Sequence, residues 1–272
     1  MMGIGTTVPM TEHPPTEVAQ FFRTLADQTR LAIVQLLALS DLRAGEIVER
    51  LRLPQNAVSY HLKQLRALGL LRDRRSSADA RDVYYSIDVE RLQALYQRAG
   101  AALHALPLAG PADAANATIA TNADAGRPLR IIFLCTHNSA RSQFAESLTR
   151  HRGGPGVEAC SAGDFPTAIH PLTSALLLEW GIDPAGQESK PLDRFVGQPF
   201  DYVITVCDQV REHCPTFPRG ATQLHWSLPD PTTVAEEGRA AAFRAVRHEI
   251  DVRVQQFLRL HATGVAGGAT AG

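Results

Sequence analysis

The stretch Leu129-Arg130-Ile131-Ile132-Phe133-Leu134-Cys135-Thr136-His137-Asn138-Ser139-Ala140-Arg141-Ser142 decides the fold of the second half of this chain. Its apolar beginning predicts a buried strand, and a helical pattern follows from Ser142 to His151. A cysteine and an arginine with five residues between them therefore lie on a loop that joins strand to helix. In that setting the backbone N–H groups, the helix N-terminus and the arginine converge on a tetrahedral anion.

Cys135 is the candidate nucleophile of this loop. The field that binds an anion also stabilises a thiolate, which is the reactive form of cysteine. Arg141 can bind the anion through its guanidinium, the Ser142 hydroxyl can donate a hydrogen bond to the thiolate, and Asn138 can hold the loop conformation. The alternative interpretation is a buried structural cysteine with a surface arginine nearby. The predicted oxyanion-binding loop comprises Thr136, His137, Asn138, Ser139, Ala140 and Ser142.

Strands and helices alternate through the rest of this half. Strands are predicted at 129–134, 157–161, 202–206 and 222–226, and helices at 142–151, 171–180 and 234–260. This order predicts βαβ units and an α/β domain with a four-stranded parallel sheet. Ligands of such sheets bind beyond the carboxyl ends of the strands, which is where Cys135 and Cys207 fall.

Length and composition indicate two compact units. The chain has 272 residues, of which 44% are hydrophobic, enough for two cores. Residues 106–128 are rich in Ala, Pro, Asn and Thr and show no helical or strand period, so we expect a flexible linker there. The predicted domains are residues 15–105 and 129–262. The net charge of −1 alone argues against a polyanion binder, but residues 50–75 carry seven basic side chains and one acidic.

The first unit has the pattern of a mainly α winged helix-turn-helix. A helix from Gln55 to Leu68, ended by Gly69, follows a short helix at 45–51, and a basic hairpin at 70–74 and 82–87 comes next. In this arrangement the second helix enters the major groove of DNA and the hairpin touches the backbone. The alternative is a solvated basic face on a small helical domain. The candidate DNA-binding residues are Gln55, Asn56, Ser59, Tyr60, His61, Lys63, Gln64, Arg66, Arg74 and Arg75.

Two segments of this unit resemble the ArsR/SmtB family of repressors. They are Phe22-Arg23-Thr24-Leu25-Ala26-Asp27-Gln28-Thr29-Arg30-Leu31 and Ala57-Val58-Ser59-Tyr60-His61-Leu62-Lys63-Gln64-Leu65-Arg66-Ala67-Leu68-Gly69-Leu70-Leu71. The resemblance implies a homodimer held by the first and last helices, which represses a double-stranded DNA operator until an inducer binds. Trivalent arsenic is bound by thiolates, and residues 15–105 contain no cysteine, so we do not expect this unit to sense it in the family's usual way.

The second unit resembles the low-molecular-weight tyrosine phosphatase fold. Besides the cysteine loop, it has Trp226-Ser227-Leu228-Pro229-Asp230-Pro231 after the fourth strand. The resemblance implies that Asp230 is the general acid, carried on a loop over the anion. Phosphatases of this fold usually carry tyrosines after the Asp-Pro pair, whereas this chain has Thr232-Thr233.

Two further cysteines distinguish this unit from a phosphatase. Val206-Cys207-Asp208-Gln209-Val210-Arg211-Glu212-His213-Cys214-Pro215 resembles the thioredoxin-coupled arsenate reductases of this fold. Reduction of arsenate to arsenite takes two electrons, which two thiols supply on forming a disulfide, and a third thiol can move that disulfide outward. The resemblance implies that Cys207 and Cys214 are catalytic and that thioredoxin is the reductant. Two other interpretations stay open: a reductase-like sensor of arsenic or oxyanions with little turnover, and a tyrosine phosphatase fused to a DNA-binding domain.

The remaining features place the protein in a reducing cytoplasm. Four cysteines are too few for a secreted disulfide scaffold, and no apolar run reaches the roughly 20 residues of a membrane span. We expect no metal site and no tightly bound cofactor, and we expect Cys160 to be a buried core residue. Some relatives implied by the resemblance bind a monovalent cation, at positions that correspond to Asn138, Glu146 and Ser161. Lys190 stands in place of the completing carboxylate, so its ammonium can replace the cation.

Overall fold

The fold is that of a computed structural model, which describes residues 16–102, 127–213 and 220–262. The helices are α1 (Thr16–Leu25), α2 (Gln28–Leu37), α3 (Ala44–Leu51), α4 (Gln55–Ala67), α5 (Val89–Ala102), α6 (Arg141–Gly153), α7 (Pro171–Leu178), α8 (Asp208–His213) and α9 (Glu236–Ala262). The strands are β1 (Leu42–Arg43), β2 (Leu71–Arg75), β3 (Val83–Ile87), β4 (Leu129–Cys135), β5 (Val157–Gly163), β6 (Tyr202–Thr205) and β7 (Thr222–His225). Short 3-10 helices cover Gly154–Gly156, Leu192–Phe195 and Pro231–Thr233.

The N-terminal unit is a winged helix-turn-helix, as the sequence predicts. Asp27 caps α2 by accepting a hydrogen bond of 2.9 Å from the backbone N–H of Arg30. Helix α4 ends before Gly69, whose φ of +72° is a left-handed conformation that glycine adopts without strain. Strands β2 and β3 form the antiparallel wing, and the short β1 pairs with the other edge of β3. Apolar side chains such as Ile33, Val58 and Leu65 bury one face of each helix in a common core.

The C-terminal unit is built on a four-stranded sheet with the order β5-β4-β6-β7. All three strand pairs are parallel, which confirms the predicted sheet. Its central strand β4 is a nearly continuous apolar run because both faces of the sheet are covered. Helix α6 packs on β4, β5 and α9, and α8 packs on β4 and β6. The carboxyl ends of β4 and β6 therefore meet at one edge of the sheet.

The differences from the sequence-based prediction are local. Helix α8 and strand β1 are too short to show a period, and neither was predicted. Helix α6 begins one residue earlier than expected, at Arg141, and β5 continues to Gly163. The predicted linker at 106–128 lies almost wholly outside the described residues, and Cys214 lies outside them too. In the described parts of the chain, no helix is both long and apolar enough to cross a membrane.

The two units contact each other along the edge strand β7. The backbone N–H of Asp41 donates to the carbonyl of His225 at 2.7 Å, and the Ser40 hydroxyl accepts from the N–H of His225 at 2.9 Å. The Asp41 carboxylate accepts from the N–H of Ser227 at 2.7 Å and from the Arg253 guanidinium on α9 at 2.8 Å. Ser40 and Asp41, which lie between α2 and β1, thus form hydrogen bonds with the edge strand β7. Without them this edge of the sheet would be open to other strands.

We expect Asp41→Ala to destabilise the protein. Asp41 is 1% exposed, and its removal leaves the buried Arg253 with one carboxylate partner fewer. Breaking a buried pair from one side costs about 3 kcal/mol or more, measurable as the loss of unfolding free energy in urea denaturation. The matched control is Asp193→Ala, which removes an exposed carboxylate and should change that free energy by less than about 0.5 kcal/mol. An equal effect of both substitutions would contradict a stabilising role for this ion pair.

Candidate active site

The cysteine loop has the geometry of an anion cradle around a buried thiol. Cys135 ends β4, and α6 begins at Arg141, so five residues turn the chain from strand to helix. The Cys135 Sγ lies 2.9 Å from the Ser142 Oγ and accepts a hydrogen bond of 3.1 Å from the N–H of Asn138. Both contacts stabilise negative charge on the sulfur. Asn138 has a φ of +48°, a left-handed conformation that asparagine tolerates better than most residues.

The loop carbonyls are turned away from the thiol by the segment that follows β5. The carbonyls of Thr136, His137 and Ser139 accept hydrogen bonds from the N–H groups of Phe165, Thr167 and His170 at 2.8, 3.0 and 3.1 Å. Because a peptide's C=O and N–H point in opposite directions, this pattern directs the loop N–H groups inward. Residues 163–173 therefore shape the anion site. Nothing in the residue types of this segment marks it as a support, so it could not be predicted from the sequence.

A buried polar network fixes Asn138 behind the loop. Its Nδ2 donates to the hydroxyls of Ser142 and Ser161, each at 2.8 Å, and its Oδ1 accepts from the backbone N–H of Lys190 at 2.7 Å. The Lys190 Nζ lies 3.2 Å from an oxygen of Glu146, to which the Ser161 hydroxyl also donates. The Lys190 ammonium thus lies beside Glu146, one of the three residues at which the family resemblance implies a cation.

Arg141 and Asp230 face each other across the site. The Arg141 guanidinium donates to the Asp230 carboxylate at 2.5 Å and to the carbonyl of Leu228 at 3.2 Å. Burial alone raises the pKa of Asp230, but the charge of Arg141 and the hydrogen bonds from Thr232 outweigh it and lower that pKa. Asp230 is therefore ionised while it pairs with Arg141. An anion that draws the guanidinium away removes this counter-charge and raises the affinity of Asp230 for a proton.

Cys207 lies beside the cysteine loop. The N–H of Val206 donates to the carbonyl of Leu134 at 2.8 Å, so the chain stays paired with β4 up to the residue before Cys207. The Cys207 Sγ lies 3.1 Å from the Thr136 Oγ1, within the loop itself. Cys135 and Cys207 are both buried, with 3% and 2% of their surface exposed. The sheet thus brings the first and second predicted thiols to one place, while Cys214 is outside the described residues.

Most candidate DNA-binding residues form an exposed face on α4 and the wing. Tyr60 is 56% exposed, His61 lies partly covered with its ring 5.4 Å from that of Tyr60, and Arg66 pairs with Asp73 on the wing. Arg74 differs, because its guanidinium points into the C-terminal unit and bonds to Asp208. The residues that are open to solvent are Gln55, Asn56, Ser59, Tyr60, Lys63, Arg66 and Arg75, and Gln64 is half-buried.

Comparison with known families identifies both units. Residues 130–265, half of the chain, match the family of low molecular weight phosphotyrosine protein phosphatases. The chain belongs to this family. Residues 27–73 match the arsR family of bacterial regulatory proteins. Both resemblances predicted from the sequence are therefore confirmed.

Several relatives of this chain are named arsenate reductases. Those of Halalkalibacterium halodurans and Bacillus subtilis are 36% and 35% identical over 129 residues, which cover 47% of this chain and 93% of each relative. A protein of Synechocystis named glutaredoxin arsenate reductase is 31% identical over 129 residues, 47% of this chain and 95% of its own. A solved arsenate reductase in its oxidized state is 29% identical, covers 48% of this chain and 98% of its own, and superposes with a TM-score of 0.44.

The close approach of Gly163 to the anion loop allows a test of that loop in this phosphatase-family unit. A Cβ at Gly163 would lie 2.8 Å from the backbone nitrogen of Asn138 and 2.9 Å from the carbonyl oxygen of Thr136, so Gly163→Ala must displace the loop. Loss of one or two amide hydrogen bonds to the anion, about 1–3 kcal/mol, should raise the Kd for inorganic phosphate roughly tenfold or more in calorimetric titration. Gly186→Ala is the control, because a Cβ there meets nothing within 4 Å. Unchanged phosphate affinity in Gly163→Ala would argue against the anion site.

Proposed function

We propose that this chain is a DNA-binding transcriptional repressor fused to an arsenate reductase. The observation that carries the reductase half is the position of Cys207, whose sulfur lies 3.1 Å from the Thr136 hydroxyl on the anion loop. A phosphatase needs only the loop, its cysteine and the acid. A second buried thiol at the same loop supplies what reduction requires in addition, which is a partner for disulfide formation.

The first step is attack on arsenate by the Cys135 thiolate. The loop N–H groups and Arg141 hold the oxyanion, and Asp230 protonates the departing oxygen, which leaves as water. Arg141 leaves Asp230 when it binds the anion, so the pKa of Asp230 rises at the moment when the carboxyl has to carry a proton. The product is a Cys135–arsenic(V) adduct.

The second step reduces the arsenic. The Cys207 thiolate attacks the Cys135 sulfur, the electron pair of the S–As bond stays on arsenic, and arsenite departs as arsenic(III). Two thiols have lost two electrons and form the disulfide between Cys135 and Cys207. Cys214 then attacks Cys207 and releases the Cys135 thiolate, and thioredoxin reduces the resulting disulfide between Cys207 and Cys214.

The last disulfide requires a change in α8. Residues seven apart on a regular helix are separated by about 10 Å along its axis, since the rise is about 1.5 Å per residue. A disulfide brings its Cα atoms to about 4.4–6.8 Å. We therefore propose that α8, which begins directly after Cys207, unwinds when the disulfide with Cys214 closes.

The thiol cascade predicts different outcomes for the four cysteines. Cys135→Ser and Cys207→Ser should abolish arsenite formation with thioredoxin, thioredoxin reductase and NADPH, and Cys214→Ser should permit one turnover but no cycling. Cys160→Ser is the matched control and should cycle normally, because Cys160 lies on β5 and burial raises the pKa of its thiol. The same assay with glutaredoxin and glutathione identifies the reductant.

Steady turnover in Cys214→Ser would overturn the cascade. If no variant or parent forms arsenite while the parent hydrolyses p-nitrophenyl phosphate through Cys135, the unit is a phosphatase instead. Cys207→Ser should still hydrolyse p-nitrophenyl phosphate whether the unit is a reductase or a phosphatase, since the Cys207 thiol takes no part in that hydrolysis.

For the N-terminal unit we propose that a homodimer binds a duplex DNA operator through α4. The exposed polar side chains of Gln55, Asn56 and Ser59 suit base edges, and Lys63, Arg66 and Arg75 suit phosphates. The exposed face that these residues form on α4 and the wing supports a DNA-binding role. The absence of cysteine from residues 15–105 leaves sensing to the C-terminal unit or to a ligand of another kind.

Lys63→Ala is expected to weaken DNA binding through the loss of one phosphate contact. With a mixed-sequence duplex at low salt, the affinity should fall, and the slope of log K against log[salt] should become shallower by about one. The control Arg194→Ala removes an exposed cation from the C-terminal unit and should leave both quantities unchanged. A salt slope in Lys63→Ala equal to that of the parent would contradict a phosphate contact.

A further inference from the structure

Arg74, on the wing strand β2, contacts both the Cys207 segment and the Asp230 loop of the proposed reductase. Its Nη2 lies 2.5 Å from an Asp208 carboxylate oxygen and also donates to the Ser227 hydroxyl. Its Nε donates to the carbonyl of Ser227 at 3.1 Å. Asp208 directly follows Cys207, and Ser227 precedes the acid Asp230 by three residues. One side chain of the DNA-binding unit therefore joins the second thiol to the acid loop.

Arg74 is one of the groups that keep Asp208 charged: burial raises the pKa of this carboxyl, but hydrogen bonds from His225 and Ser77 and the charge of Arg74 outweigh burial and lower that pKa. Its carboxylate is completely buried and accepts from the N–H and hydroxyl of Ser77 at 2.7 and 3.0 Å, from the Ser227 hydroxyl at 2.8 Å, and from the His225 ring, whose Nε2 lies 3.1 Å away. Burial lowers the pKa of His225, so its ring is neutral near pH 7. Arg74 then supplies the positive charge that faces a carboxylate buried next to Cys207.

The acid loop is held by two arginines at successive carbonyls. Arg141 donates to the carbonyl of Leu228 at 3.2 Å, and Arg74 donates to that of Ser227 at 3.1 Å. Under the proposed mechanism Arg141 turns to the anion, whereas Arg74 lies outside the anion loop and has no such role. Arg74 can therefore keep the loop in place while the reaction proceeds.

We propose that Arg74 is a positioning residue of the reductase, which aligns the Cys207 segment and the Asp230 loop, and that it is not a DNA phosphate ligand. This inference rests on the proposed function. The planar guanidinium bonds Asp208 and Ser227 together, which a lysine ammonium on its flexible stem does less well. Among the described residues, the neighbouring Arg75 is exposed and donates within the wing, to the carbonyl of Ala80 at 2.9 Å, so it is a wing arginine open to phosphates.

The test compares Arg74→Ala and Arg74→Lys in the full chain carrying Cys214→Ser, where one turnover of arsenate is followed. The rate constant for arsenite formation should fall roughly tenfold to a hundredfold in Arg74→Ala and less in Arg74→Lys, with the arsenate concentration at half-maximal rate changed by less than about twofold. Protein that is irreversibly or only slowly unfolded lowers the amplitude of the single turnover and not its first-order rate constant, so such a loss of folded protein does not mimic this result. Arg81→Ala is the matched control, because Arg81 lies on the same hairpin, is 90% exposed and pairs with Asp79.

DNA affinity supplies the second readout. With the mixed-sequence duplex, Arg74→Ala should bind as the parent does, which also shows that its wing is folded, whereas Arg75→Ala should bind more weakly. Parental single-turnover rates in both Arg74 variants, or a loss of DNA affinity in Arg74→Ala equal to that in Arg75→Ala, would overturn the proposal.

Failure of the proposed function gives a different result. In that case the chain with Arg74 intact forms no arsenite, and p-nitrophenyl phosphate hydrolysis tests the acid-loop half of the inference by itself. Arg74→Ala should then lower kcat with KM nearly unchanged, and an unchanged kcat would overturn the inference there too.

Discussion

The site depends on the parallel pairing of β4 with β6. After β4 the chain passes to β5 on one side, and only then returns to form β6 and β7 on the other, so the strand order reverses beside β4. Ligands of α/β sheets bind at such a reversal because neighbouring loops diverge there and leave a crevice. Cys135 ends β4 and Cys207 follows β6, and these two strands flank the reversal. The hydrogen bond from Val206 to Leu134 fixes their relative height, and without that register the second thiol would not lie at the anion loop.

The anion loop could be predicted from the sequence because its parts are contiguous. Seven residues from Cys135 to Arg141 contain the thiol, the amides and the guanidinium, and the flanking strand and helix patterns set their geometry. Asp230 and Cys207 needed the resemblance to a known family, since each comes from a different strand. Neither sequence patterns nor the family resemblance could reveal the segment 163–173 or the proposed role of Arg74. Their contacts join residues far apart in sequence, up to 153 positions for Arg74 and Ser227, and a basic cluster predicts only that its charges need partners.

The interface between the units contains several buried polar groups. Asp41 with Arg253 and Asp208 with Arg74 are pairs in which at least the carboxylate is completely or almost completely buried. Such pairs contribute little net stability, since the cost of desolvation offsets the attraction, but a wrong alignment leaves a charge unpaired. They favour one arrangement of the two units over others with similar apolar contact. An apolar interface of the same size would permit the units to slide, and the register of β7 against Ser40 and Asp41 would be lost.

The same contacts link the proposed thiol cycle to the DNA-binding unit. Helix α8 is tied to that unit through Asp208 with Arg74 and Ser77, through Arg211 with Glu46 on α3, and through Glu212 with Ser76. Under the proposed cycle α8 unwinds when the last disulfide closes, so these bonds are made in the reduced chain and at least some are absent in the oxidised one. A contact that exists in only one redox state contributes a coupling free energy, and this coupling is reciprocal. Under that cycle, whatever stabilises the wing in its present position would favour the reduced α8, and oxidation of Cys207 would weaken the contacts between α8 and the wing.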